Sequence, residues 1–364
     1  MKKTYIPIQQ ILFRSLTLLA IVGILISCQL LPVTQQTSVE TVAPKATQPY
    51  LPDAFQTPYL NPLDTPHTYI QEYCRYLRNK WNPSNATPGT VVMAIRFQNI
   101  NRGTADLPNS IPLIEFFGLM DQLHSQGFEA ITTKDLQGFL ERNLPIPERS
   151  VYLIQDGNHD AEYFDITFRD YWENWGWEVI NGWVSNPETP AELIAENIEL
   201  AKEGFVDHQA QGVFETAKLS DESAKNVIAR ELQGSWNGFA NIYRKNPLAI
   251  IWPNGGFGFR PIEAARQLRF KMGFTLNTRG PIMYNWVPLA DAVDPQRPSF
   301  IPEGMINDPL MTLPTYSPQE ALMAIDTVRV IGKNAAAYAQ ANKEAELHYY
   351  DMVCYPEYPP IPSP

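Results

Sequence analysis

The chain has 364 residues, 44% of them hydrophobic and 12% aromatic, which is enough for one large core or two smaller ones. A formal charge of −11, with no cluster of Lys or Arg, argues against nucleic acid as a partner. Setting aside Cys28, two cysteines remain, Cys74 and Cys354, and neither has a companion at metal-ligand spacing. They stand near opposite ends of the chain and read equally as a stapling disulfide or as two buried thiols.

The chain opens with Lys2 and Lys3, then Arg14, ahead of an apolar run over 16–26 that ends in Ser27-Cys28-Gln29. A basic start, an apolar segment and a small residue before a cut mark a secretory signal. A cysteine directly after that small residue resembles a bacterial lipobox, in which Cys28 would carry lipid and become the new N-terminus. The run is shorter than the ~20 residues of a membrane-spanning helix, which favours a cleaved signal over a retained anchor. Both readings put the body outside the cytoplasm. The lipid reading makes it a bacterial cell-envelope lipoprotein, membrane-anchored through Cys28 and facing the periplasm or exterior. Residues 29–66, rich in Pro, Thr and Gln, read as an extended tether, disordered up to about Pro49.

Strand and helix signals then alternate. Helices are expected over 69–81, 111–126, 133–142, 163–175, 190–203, 220–243 and 261–271. Strands are expected over 90–97, 127–131, 150–155, 177–184, 204–208, 247–252 and 273–277. After Thr278 the chain turns irregular and Pro-rich, then helical over 318–346, with a proline-rich tail over 347–364. This rhythm predicts an α/β body over 67–346, with parallel strands in a barrel or doubly wound sheet.

The stretch of most chemical interest is Ser150-Val-Tyr-Leu-Ile-Gln-Asp-Gly-Asn-His-Asp160. A strand ending in an acid and a glycine before a helix is where α/β folds present side chains at the carboxyl edge of the sheet. It also reads as a plain Asp-Gly turn. Phe164, Phe168, Tyr171 and Trp175 keep the spacing of one buried helix face, while Trp172 falls outside it. Other chemistries find little support. There is no Gly-x-Ser-x-Gly elbow, and the Gly-rich run 254–259 lacks the Lys-Ser/Thr of a phosphate loop. Asp156 and Asp160 share one short turn, whereas glycosidase carboxylates flank the bond from separate elements.

Several segments together resemble the NodB-type polysaccharide deacetylases, carbohydrate esterase family 4. They are Gln122-Leu-His-Ser-Gln-Gly-Phe-Glu-Ala-Ile-Thr132 followed by Asp135-Leu136, Pro147 before the 150–155 strand, and Ile250-Ile-Trp-Pro-Asn-Gly255. The resemblance runs from about Thr90 to Arg279 and implies a distorted (β/α) barrel that removes acetyl groups from amino sugars with a divalent metal, usually zinc. It places Asp156 and His208 at metal ligands and Gln155 at the general base. It also makes Trp252 and Asn254, at a strand end facing the cleft, candidates for sugar contact. The chain departs from the pattern where the chemistry is heaviest. An amide at Gln155 cannot take a proton from water, and losing a general base lowers rates by ~10²–10⁴. Gly212 stands at the second histidine ligand, and no histidine lies between His208 and His348 for the acid. Two ligands are too few for catalytic zinc; His159, or Asp207 beside His208, would have to substitute. The leading expectation is an envelope lipoprotein that binds an N-acetylated glycan with impaired or absent hydrolysis, with zinc or another divalent metal as cofactor if it is active and otherwise none. The alternatives are an active divergent metal-dependent deacetylase using Asp156, His208 and a substitute ligand, and a non-catalytic envelope scaffold.

Overall fold

The run Val-Val-Met-Ala-Ile-Arg-Phe over 91–97 has no polar face, and such a strand is stable only when both its faces are covered. A computed structural model, which describes residues 49–103, 110–296, 301–355 and 357–362, shows it covered throughout. In chain order the elements begin with β1 (Asp64–His67), α1 (Tyr73–Trp81), β2 (Val91–Phe97), β3 (Asn99–Asn101), β4 (Ser110–Pro112) and α2 (Leu113–Ser125). There follow β5 (Glu129–Ala130), α3 (Thr133–Arg142), β6 (Arg149–Asp156), α4 (Ala161–Thr167), α5 (Arg169–Trp175), β7 (Val179–Trp183), α6 (Ala191–Glu203) and β8 (Val206–Ala210). The last are α7 (Lys225–Ala229), α8 (Ser235–Tyr243), β9 (Ala249–Ile251), α9 (Phe259–Gln267), β10 (Met272–Phe274), β11 (Val287–Ala290) and α10 (Pro318–Tyr349).

Six strands form one parallel sheet in the order β10-β9-β8-β7-β6-β2, and β5 pairs with the start of β6. The sheet curls into a half-barrel, and an extended segment over 313–316 links its two edges. Tyr316 N–H donates to Ala94 O on β2, and Leu313 N–H donates to Gly273 O on β10, both at 2.8 Å. The segment thus satisfies edge groups that would otherwise be open to pairing with another chain. A second closure is antiparallel: β1 pairs with β11 from Asp64↔Ala290 to His67↔Val287. The residues after 278 that read as irregular therefore complete the barrel.

Side chains alternate strictly across this sheet. Val92, Ala94, Tyr152, Ile154, Ala249 and Ile251 fill the inside. Met93, Ile95, Val151, Leu153, Val179 and Val206 face outward to α2, α4 and α10, and Ala210, Ile250 and Trp252 face outward to α7 and α9. Phe164, Phe168 and Tyr171 join the outer core as their spacing predicted, and Trp175 packs against it.

One compact unit spans Gln48–Pro364. The leader, Cys28 and the tether up to residue 48 lie outside the described residues. Part of the segment expected as tether belongs to the folded unit: Phe55 packs against Trp286 and Tyr338, and β1 lies within 29–66. The tail is folded too. A π-helical turn, Tyr350–Cys354, follows α10, and Tyr350 is buried with its hydroxyl on Pro359 O. Among the described residues no helix is long and apolar enough to cross a membrane.

Cys74 and Cys354 are bonded, with 5.4 Å between their Cα atoms and a sequence separation of 280. The bond ties α1 to the C-terminal turn. Cys354→Ser is expected to lower stability by about 2–4 kcal/mol, as for other long-loop disulfides. Urea midpoints of the variant and of wild type with and without reductant provide the check, and the reduced wild type should match the variant.

Candidate functional site

Because β6 alternates, its last two residues face opposite ways. Asp156 points into the barrel with Ile154 and Tyr152, and Gln155 points outward under α4. Asp156 meets Arg96, the one charged residue in the apolar run of β2. Arg96 Nε donates to Asp156 Oδ1 at 2.7 Å, with the two side chains 1% and 9% exposed. The rest of the guanidinium is also engaged: one terminal nitrogen donates to Trp252 O at 3.0 Å and the other to Thr275 O at 3.3 Å. One side chain therefore joins the carboxyl ends of β2, β6, β9 and β10. Nothing in the sequence motif pointed to Arg96, because an arginine inside an apolar strand carries no catalytic pattern. Its buried position between strand ends is the only available signal, and that is visible only in the fold.

Each residue of the Asp156–Asp160 turn is used structurally. Gly157, at φ +76°, adopts the left-handed conformation that glycine accepts most readily, and its N–H donates to Gln211 Oε1 at 2.9 Å. Asn158 grips Val184 through both its amide atoms, at 2.8 Å each. His159 lies flat on Tyr163, with 3.9 Å between ring centres, and its Nε2 donates to Asp156 O at 2.9 Å. Asp160 caps α4 by accepting Tyr163 N–H at 2.9 Å. Gln155 is fully buried: its carbonyl accepts the Tyr163 hydroxyl at 2.9 Å and its amide donates to Gln98 O and Asp156 O. It faces α4 rather than the barrel mouth and has no proton to relay. Burial holds the His159 imidazole below its ordinary pKa, with the Asp156 carbonyl pulling the other way.

His208 stands on the other face of the sheet from Asp156. Neighbouring Val206 and Ala210 face the helices, and His208 does the same, stacked on Tyr243 at 4.4 Å and edge-on to Trp183. Its Nε2 donates to Asn197 Oδ1 at 2.9 Å, since the Asn197 amide nitrogen already donates to His159 O and Leu193 O. Among the described residues the rings packed on it bring no second metal ligand. Asp207, one residue earlier, faces inward, but lies at the amino end of β8 with Thr133 and Lys245. The residue that does reach the Asp156-Gly157 turn is Gln211, directly after β8. It crosses β7 at Gly182, where a Cβ would lie 2.1 Å from Gln211 Oε1. Gly212 offers no donor atom, and a Cβ there would lie 2.8 Å from Pro253.

A divalent metal does not fit these residues. Asp156 already neutralises a fixed guanidinium, which would repel a second cation at the same carboxylate. His208 is on the wrong face, the nearest ring nitrogen of His159 is bound to backbone, and Gly212 is closed off. Among the described residues no three His, Cys, Asp or Glu side chains are grouped to hold a metal. The sugar-contact candidates are also placed differently from expectation. Trp252 is fully buried in the outer core with its indole N–H on Met311 O, so its ring offers no face to a ligand. Asn254 is exposed, but its amide nitrogen donates to Glu215 O and Ala217 O and so shapes the neighbouring loop.

Two outcomes follow for solution measurements. Arg96→Met leaves Asp156 buried without its partner, so it is expected to destabilise the protein by about 3–5 kcal/mol, and Arg96→Met with Asp156→Leu should recover much of that loss. Chemical denaturation of the single and double variants provides the comparison. His208 is a second lever, because burial, aided by Lys245, pushes its pKa down from 6.5 to about 3. Its neutral form is the folded one. Stability is therefore intact above the unfolded value and falls as pH drops from there towards the folded value, by about 1.4 kcal/mol per pH unit from this group. In denaturation series between about pH 6 and about pH 4, His208→Gln should lose less stability per pH unit than wild type by that amount.

No family model matches the sequence, and no curated protein matches it. Solved structures do match by fold. A deacetylase of Streptococcus pyogenes, solved with acetate, is 16% identical and superposes with a TM-score of 0.51, over 66% of this chain and 99% of that one. A de-N-acetylase of Aggregatibacter actinomycetemcomitans is 12% identical with a TM-score of 0.50, over 65% of this chain and 99% of that one. A polysaccharide deacetylase of Bacillus cereus is 13% identical, with a TM-score of 0.48, over 65% and 69%. The curled parallel sheet, with its helices and the loops at its carboxyl edge, is the fold of the NodB-type polysaccharide deacetylases.

Proposed function

We propose that this chain is a glycan-binding cell-envelope protein that keeps the deacetylase fold and has lost metal-dependent hydrolysis. The reading rests on one observation above all, the buried ion pair of Arg96 with Asp156. In metal-dependent amide hydrolysis a divalent cation polarises the carbonyl and lowers the pKa of its bound water. A guanidinium whose N–H groups are directed to Asp156 and to strand carbonyls does neither. It supplies no open coordination position, and at about 1% exposure it does not reach a substrate. Gln155, in turn, holds the α4 turn in place of abstracting a proton. The fold likeness supports an N-acetylated polysaccharide as the partner, and the lipobox-like Cys28 supports a membrane anchor.

The test is metal content and acetate release by the full chain after zinc loading, with Asp156→Ala as control. Zinc no higher than in the control, together with no acetate from chitotetraose, is the expected result. About one zinc per chain that is lost in Asp156→Ala, or acetate release abolished by that change, would overturn the reading in favour of an active deacetylase.

A further inference from the structure

At the opposite end of the barrel from the Asp156 turn lies a cavity of about 400 Å³, within the ordinary size range of ligand sites. It opens between α1, α10, the 283–286 loop and residues 51–55, and touches the chain just before β2. Its walls are aromatic: Phe55, Tyr73, Tyr76, Tyr284, Trp286 and Tyr338. Residues 51–55 are held in place over it by two of these rings. Tyr338 Oη donates to Asp53 O and Trp286 Nε1 to Phe55 O, both at 2.9 Å. Tyr76 and Tyr284 stack across the wall with 5.8 Å between ring centres, and Asn79 donates to the Tyr284 hydroxyl.

The floor is polar. Lys80 Nζ donates to Glu346 Oε1 at 2.7 Å, with the side chains 11% and 6% exposed, and Trp81 Nε1 donates to the other oxygen of Glu346 at 2.7 Å. An ammonium has three donors and a carboxylate about four acceptor sites, so this pair presents donor and acceptor capacity side by side. Its net charge is zero and Asp53 adds a negative charge at the rim, so the cavity does not select an anion. A wholly apolar occupant would strip water from the ion pair without replacing its hydrogen bonds. The chemistry that suits both floor and walls is a neutral ring with an apolar C–H face and vicinal hydroxyls. The disulfide of Cys74, on α1, with Cys354, just after α10, braces the two helices that carry the floor.

We infer that this aromatic cavity, and not the carboxyl edge of the sheet, is where the protein holds a neutral saccharide. The inference rests on the glycan-binding reading above and gives that reading a location. At the carboxyl edge, Phe214 is a large ring left 38% exposed, under the Arg230 guanidinium, and it serves as the rival contact.

The test is calorimetric titration of the full chain with chitotetraose and cellotetraose. It compares wild type with Tyr73→Ala, whose ring is 58% exposed and so is removable without disturbing the core. Glu346→Gln, which keeps the shape of the floor, and Phe214→Ala complete the set. Removing a stacking ring is expected to weaken binding by about tenfold in Tyr73→Ala. Glu346→Gln should weaken it as well, and Phe214→Ala should match wild type. Binding that is weakened by Phe214→Ala and untouched by the two cavity variants would overturn this location and leave glycan binding standing. No binding of either saccharide by wild type would overturn glycan binding itself and the cavity assignment with it.

Discussion

The interaction on which this molecule turns is a single buried ion pair. Arg96 enters the barrel from β2 and its guanidinium binds Asp156, Trp252 O and Thr275 O, so four strands converge on one planar cation. A planar group with five fixed donors suits this task, because its N–H directions match carboxylate and carbonyl oxygens at once. A buried charge pair contributes little net stability against an apolar alternative, yet breaking it is costly. The arrangement thus resists loss of either partner.

Around that pair, the polar side chains at the carboxyl edge of the sheet hold backbone in place. Asn158 fixes Val184, Asn181 reaches Gln155 O and Gly157 O, and Gln211 takes the Gly157 N–H. Buried amides engaged in this way are rigid and largely neutral, the opposite of the poised, partly solvated acids and bases that proton transfer requires. His208 completes the pattern on the outer face, where burial keeps it neutral and Asn197 carries its hydrogen bond on to the backbone of His159. The other end of the barrel is built differently. There, rings line an open cavity over a neutral ion pair, and the disulfide braces the helices that form it.

Much of the architecture was legible in the chain. The run over 91–97, apolar but for Arg96, the strand-helix rhythm through to 277 and the stripe of Phe164, Phe168, Tyr171 and Trp175 each correspond to elements seen in the fold. Local periodicity suffices there because each element buries its own apolar face. The closure of the barrel was not legible. Residues 313–316 and the β1–β11 pair are short, proline-containing segments whose partners lie far off in sequence, and no local pattern encodes such pairing.

At the site, the residue types alone ruled out proton abstraction by Gln155 and side-chain ligation by Gly212, since an amide has no basic pair near neutrality and glycine has no side-chain donor atom. Which residues meet was decided by tertiary structure. Strand alternation puts Gln155 and His208 outside the barrel and Asp156 inside it, and the barrel's curl brings Arg96 from a different strand to that carboxylate. A shift of one residue along a strand reverses the direction of a side chain, so motif order specifies chemistry only after the fold has set the face.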